Sequence, residues 1–120
     1  MKLVFFETPI FTRYRPNYLD EEGYRSLQNA LLSNPECGEV IQGTGGFRKM
    51  RWFDERRKKG KRGGLRVIYY HFLEYSQIWF FTIYDKEEMI DLSAAEKKQL
   101  KQAITHELAI RKGEKNDAKA

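Results

Sequence analysis

Ten lysines and arginines fall between residues 48 and 66: Arg48, Lys49, Arg51, Arg56, Arg57, Lys58, Lys59, Lys61, Arg62 and Arg66. Only Asp54 and Glu55 oppose them, so the stretch carries +8 in a chain whose formal total is +5. The rest of the chain is therefore net acidic, and the positive charge is concentrated in one place. Concentration on this scale is the footprint of a polyanionic partner, most often nucleic acid. A solvated hairpin connection would account for residues 54–64 taken alone. It does not account for Arg48, Lys49 and Arg51 before the loop or Arg66 after it, which fall in β-prone segments. Cations held on strands can do work that depends on geometry.

The chemistry open to such a set is that of a phosphodiester. Guanidinium and ammonium groups pair with phosphate oxygens. Tyr69, Tyr70, Tyr84, Phe47 and Trp52 offer rings for stacking on unpaired bases, one or two of them being left over once a core is built. RNA carries its own nucleophile in the ribose 2′-OH. A protein that cleaves it must hold that hydroxyl in line, take its proton, stabilise the phosphorane and protonate the leaving oxygen. Arginine cannot be the base, because it keeps its proton. A lysine among like charges can be, because they lower its pKa.

Other catalytic signatures are missing. Gly43-Thr44-Gly45-Gly46 has neither the length nor the Lys-Ser/Thr ending of a phosphate-binding loop, and no third glycine of a dinucleotide fingerprint. His71 lies mid-strand and reads as structural, and His106 reads as solvent-facing. Asp85, Glu87, Glu88 and Asp91 are split by Lys86 and read as a turn approaching a helix rather than as a Mg²⁺ site. Cys37 is the single cysteine, so no internal disulfide or zinc cluster follows. No metal or cofactor is expected.

These residues need elements to position them. Leu3–Phe6 reads as a first strand. Thr8-Pro9 opens a short helix, expected to end near Tyr14 because Pro16 disfavours helix at Arg15. Asp20 caps a second helix to about Ser33, with a stripe of Tyr24, Leu27 and Leu31. Val40-Ile41, Phe47–Phe53, Leu65–Leu73 and Ile78–Tyr84 follow as strands, the last two apolar on both faces and so covered in part on both sides. Ser93 and Glu96 have capping-box spacing before a last helix whose stripe is Leu100, Ala103, Ile104 and Leu108. The fold class is α+β: an antiparallel sheet of four to five strands with N-terminal helices and a C-terminal helix, the helices expected on one face. One domain spans 1–112 and a flexible tail 113–120. No apolar run approaches the ~20 residues of a membrane span, so no membrane partner and a cytoplasmic location are expected.

Three blocks carry a resemblance. Val40-Ile41-Gln42-Gly43-Thr44-Gly45-Gly46-Phe47-Arg48-Lys49-Met50-Arg51-Trp52 is the first. Gly60-Lys61-Arg62-Gly63-Gly64-Leu65-Arg66-Val67-Ile68-Tyr69-Tyr70 is the second, and the third runs from Ile83-Tyr84 through Lys86 and Met89 to Asp91-Leu92. Together they resemble the HigB branch of the RelE/ParE toxin superfamily, over roughly residues 1–110. The resemblance implies a RelE-like, microbial-ribonuclease-like fold. It implies the toxin of a type II toxin–antitoxin system, a metal-independent endoribonuclease that cleaves mRNA in the A site of the 70S ribosome. It also implies a cognate antitoxin, HigA-like, with a helix-turn-helix domain.

Carried over by position, Arg66 matches the arginine that contacts the scissile phosphate. Arg48 or Arg51 falls where the family places cations on the preceding strand, although alternation puts these two on opposite faces. Lys86 follows the last strand, where other members carry a basic residue. Lys49, Lys58, Lys59, Lys61, Arg62 and Tyr84 complete the set as RNA-binding residues. The tyrosine that RelE has near its C-terminus is not evident, and Asp91-Leu92 lies near that position. The base stays open among Lys49, Lys61 and Lys86. The alternative is a non-catalytic RNA- or ribosome-binding module. A DNA-binding regulator is weaker, because no helix carries the basic residues a major-groove reader needs.

Overall fold

Two long strands carry the molecule. In the computed structural model, which describes residues 2–54, 64–89 and 91–119, β4 (Leu65–Phe72) and β5 (Gln77–Asp85) form an antiparallel hairpin at the centre of a five-stranded sheet. The elements run β1 (Val4–Glu7), α1 (Pro9–Tyr18), α2 (Glu21–Ser33), β2 (Glu39–Val40), β3 (Arg48–Trp52), β4, a single 3₁₀ turn at Leu73–Tyr75, β5 and α3 (Ala94–Lys119). The sheet order is β1-β5-β4-β3-β2. This is the α+β fold and element order expected from the sequence. One pairing differs: β1 joins β5 in parallel, Val4 opposite Gln77 through Glu7 opposite Phe80. A parallel pair needs a long crossover, and here everything from α1 to β4 intervenes.

Helices cover both faces rather than one. Residues alternate along a strand, so each face of β4 builds its own core. Leu65, Val67 and Tyr69 pack with Phe11, Leu19, Tyr24, Leu27 and Leu31 of the α1–α2 layer, together with Met50 of β3. Ile68 and Phe72 pack with Ile41, Phe47, Tyr84, Leu92, Leu100 and Ile104 on the α3 side. In α3, Leu100 and Ile104 are buried as expected, but Leu108 is exposed. Farther along, Arg111 lies 3.8 Å over the Phe72 ring and hydrogen-bonds Gln77 and Glu107, clamping the helix to the β4–β5 turn. The helical backbone continues to Lys119, through most of the segment 113–120 read as a tail.

Local chemistry sets the boundaries. Thr8 caps α1: its Oγ1 accepts from Phe11 N at 3.1 Å and donates to Phe81 O at 2.6 Å. Phe81 is the extra residue of a β-bulge, since Ile68 faces Thr82 while Tyr69 faces Phe80. One hydroxyl thus starts the helix and satisfies a carbonyl at the bulge. Helix α1 runs through Pro16 to Tyr18, past the expected stop. Pro16 forfeits one helical hydrogen bond, a cost of roughly 3 kcal/mol, and burial of Phe11 and Leu19 at the two ends of this segment offsets it. Asp20 caps α2 through Gly23 N at 2.7 Å. The capping box before α3 closes reciprocally, Ser93 N to Glu96 Oε1 at 2.9 Å and Glu96 N to Ser93 Oγ at 3.1 Å.

The glycine turn before β3 is a packing device. Gly45 and Gly46 have φ of 77° and 115°. A Cβ on Gly45 would lie 3.0 Å from Ile104 Cγ2, and one on Gly46 would lie 3.1 Å from Tyr70 Cε2. Thr44, fully buried just before them in sequence, donates to Ile41 O and accepts from Phe47 N. The turn therefore presses its backbone onto α3 and β4, and that contact fixes where β3 enters the sheet.

The buried Tyr69 hydroxyl donates to Pro35 O at 2.9 Å and accepts from Gly38 N at 2.9 Å, tying the α2–β2 connection to the sheet. Tyr69→Phe leaves both backbone groups unsatisfied. The expected loss is about 1–3 kcal/mol of stability by urea denaturation.

Candidate functional site: a cationic row on the sheet

Register places the sequence-predicted cations. Arg51 faces Arg66, and Arg66 faces Tyr84, so the three form one row across β3, β4 and β5. Lys49 stands two residues before Arg51 on the same strand and faces Ile68. Ile68 and Tyr84 belong to the core under α3, so Lys49, Arg51, Arg66 and Tyr84 all share that face. With strands about 4.8 Å apart and residues i, i+2 about 6.6 Å apart, the four backbone positions fall within about 12 Å of one another.

Arg48 does not join it. Alternation turns it to the opposite face, opposite Tyr69, where its Nη1 donates to Gly38 O at 2.8 Å and Glu36 O at 3.2 Å. It serves the α2–β2 connection, so of the two arginines left open on β3, Arg51 is the one at the row. Lys86 lies in the turn just beyond β5, its backbone N–H directed at Gly64 O at the end of β4 nearest Arg66. Lys58, Lys59, Lys61 and Arg62 lie outside the described residues. His71 faces the α1–α2 side near Glu36, its Nδ1 3.9 Å from that carboxylate, and burial lowers its pKa. His106 is exposed on α3.

The electrostatics of the row are unusual for a structural surface. Like charges directly opposite on paired strands repel, yet Arg51 and Arg66 occupy such a pair. Arg66 is 9% exposed, so its charge is largely out of water. Its Nη1 donates to Leu65 O at 3.2 Å. Tyr84 is 6% exposed, which withdraws its ring from base stacking and leaves the hydroxyl as its functional end. Among the described residues, the Tyr84 hydroxyl finds no hydrogen-bond partner. Burial first, then Asp91, push its pKa up, while Arg66 pulls the other way, so at neutral pH it is a proton donor.

One participant escaped the sequence reading. Asp91 Oδ1 lies 3.6 Å from Lys49 Nζ and accepts from Leu92 N at 2.8 Å. The Leu92 N–H, helped by Lys49 and Lys97, holds its carboxyl below the usual range. The sequence reading has Asp91 as one of four acids in a turn and as lying near the position of RelE's tyrosine, with no role assigned to it. Asp85, by contrast, is a turn-former: its Oδ1 accepts from Glu87 N at 2.8 Å and its carbonyl from Glu88 and Met89. Among the described residues, no three His, Cys, Asp or Glu converge as metal ligands, and no helix is long and apolar enough to cross a membrane.

No protein-family model matches the chain. Among solved structures it is similar to the Escherichia coli toxin RelE, seen as an arginine-to-alanine double mutant in the free state. The two share 14% identity with a TM-score of 0.50, over 75% of this chain and 90% of that one. A likeness at that identity speaks for architecture, and it agrees with the five-stranded mixed sheet and its three helices. The chain has the fold of the RelE toxin.

Proposed function

We propose that this chain is the toxin of a type II toxin–antitoxin pair and that it cleaves messenger RNA on the ribosome by attack of the ribose 2′-OH. The observation that carries the proposal is the Arg51–Arg66–Tyr84 row flanked by Lys49 on one face of a RelE-like sheet. Two arginines side by side and a buried hydroxyl with no hydrogen-bond partner among the described residues present donors on one face. A phosphate lying across them would be met by these donors together. As the phosphorane forms, its added negative charge meets donors already fixed in place, which is where such donors contribute most. Arg66 is the central contact and Arg51 its neighbour. The base belongs to the lysines, of which Lys49 is on this face and Lys86 is in the adjoining turn. The antitoxin, HigA-like by the sequence resemblance, acts by keeping RNA from this face.

Primer extension on mRNA from cells expressing the chain tests the reading. New 5′ ends within translated codons are expected. Arrested translation with no new ends would instead mark a ribosome-binding module without chemistry.

Salt provides a second measure. With ~6–8 phosphate contacts, a plot of log affinity for single-stranded RNA against log salt has an expected slope of about −4 to −6. A flat response would remove the 48–66 charge from the contact surface.

A further inference from the structure

The ion pair between Lys49 and Asp91 lies on the proposed RNA-binding face but has no evident structural purpose. Asp91 is on the connection between β5 and α3, and its side chain is 57% exposed. Such a pair contributes little to stability. What it does is place a carboxylate among cations. The groups around that carboxylate are Lys49 at 3.6 Å, Lys97 and the Leu92 N–H that Oδ1 accepts at 2.8 Å. Tyr84 is buried and feels the charges of both Asp91 and Arg66, and among the described residues its hydroxyl has no hydrogen-bond partner. A carboxylate and a phosphate ask for the same donors. An unpartnered hydroxyl, more than nine-tenths buried, marks where a further acceptor is missing.

We propose that Lys49, Arg66 and the Tyr84 hydroxyl form a subsite for one phosphate, and that Asp91 is a tethered stand-in anion which a substrate phosphate must displace. The inference rests on the RNA-cleaving reading for its substrate, but the subsite is defined by phosphate chemistry alone. Asp91 satisfies Lys49 while the face is empty and leaves the Tyr84 hydroxyl unmet. An RNA phosphate satisfies both and releases the carboxylate to water. The stand-in weakens binding of loose RNA and favours RNA delivered already ordered.

The test compares the full chain with Asp91→Asn, Tyr84→Phe and Asp91→Asn/Lys49→Ala, with Glu22→Gln as a remote charge control on exposed α2. The probes are inorganic phosphate, followed through the backbone amides of Lys49, Arg66 and Tyr84 by NMR, and a 2′-O-methyl RNA that cannot be cleaved. Asp91→Asn is expected to bind both about three- to tenfold more tightly, the range of a single partly exposed charge contact. Glu22→Gln should change binding less than about twofold, and the gain should vanish in the Lys49→Ala background. Tyr84→Phe should weaken phosphate binding several-fold without lowering Tm, because it removes a buried hydroxyl that has no partner. Unchanged or weaker phosphate binding by Asp91→Asn overturns the stand-in, as does a gain that survives Lys49→Ala. Unchanged phosphate binding by Tyr84→Phe removes the hydroxyl from the subsite. If phosphate binding behaves as expected and RNA is not bound, the subsite stands and the nuclease reading fails.

Discussion

Arg66→Ala should lower the proposed ribosome-dependent mRNA cleavage by about 10²–10³-fold, the usual effect of deleting one fixed donor to a developing oxyanion. Arg66 is central in its row, opposite Arg51 on one side and Tyr84 on the other, and it is 9% exposed. Its guanidinium is held by β4 and by the Leu65 carbonyl, so little reorganisation accompanies charge development at the phosphorus. Thermal unfolding of the purified variant separates loss of the contact from loss of the fold, because Arg66 is itself 9% exposed. Arg66→Lys should recover only part of the rate, since an ammonium keeps the charge but loses the planar fork. The readouts are 5′ ends by primer extension, growth arrest on expression and thermal unfolding of the purified variant. An Arg66→Ala protein that stays folded and as toxic as its parent would place the chemistry elsewhere.

The choice of Arg66 came from the resemblance of its block, and periodicity added only how its neighbours divide between the faces. The charge run and its strand flanks already separated Arg48 from Arg51 onto opposite faces. What period two cannot say is which face is which. That was decided by the glycine turn pressing Gly45 against Ile104 and by Arg48 finding the Gly38 and Glu36 carbonyls. Element order was legible because each boundary has a local cause: Thr8 and Pro9, Asp20, and the Ser93–Glu96 box. The misjudged features were all tertiary. Pro16 did not stop α1, because the helix is held by what it buries. The parallel entry of β1 beside β5 and the placement of α3 on the second face follow from packing across the whole chain. Tyr84 was one of five rings offered for stacking, of which one or two were expected to be free, and it is among those that are buried. Asp91 was one of four acids in a turn until the fold set it against Lys49, more than forty residues away in sequence.

Phe80→Ala should be the most damaging substitution away from the site, with an expected loss of about 3–5 kcal/mol. Phe80 is fully buried where four elements meet. Its ring stacks on Phe11 of α1 at 4.7 Å with planes 11° apart, on Phe5 of β1 at 5.6 Å, and against Tyr24 of α2 at 5.8 Å. Its backbone faces Glu7 in β1 and Tyr69 in β4, and its carbonyl accepts from Thr8 N at 3.0 Å. Removing the ring leaves a cavity whose walls are strands on one side and two helices on the other, so collapse is hard and the cost should sit near the top of the range. Against a typical total of about 5–15 kcal/mol for a domain, much of the folded population is at risk. The same truncation at Leu108, which is 39% exposed on α3, should cost less than about 1 kcal/mol. The row of Arg51, Arg66 and Tyr84 faces the other way, so cleavage per folded Phe80→Ala molecule should hold while the midpoint in urea falls. A midpoint shift worth under 1 kcal/mol would mean that the α1–α2 layer is not held by this aromatic cluster. A loss of rate in the fraction still folded would mean that the two faces of the sheet are coupled, with β5 transmitting strain from Phe80 to Tyr84.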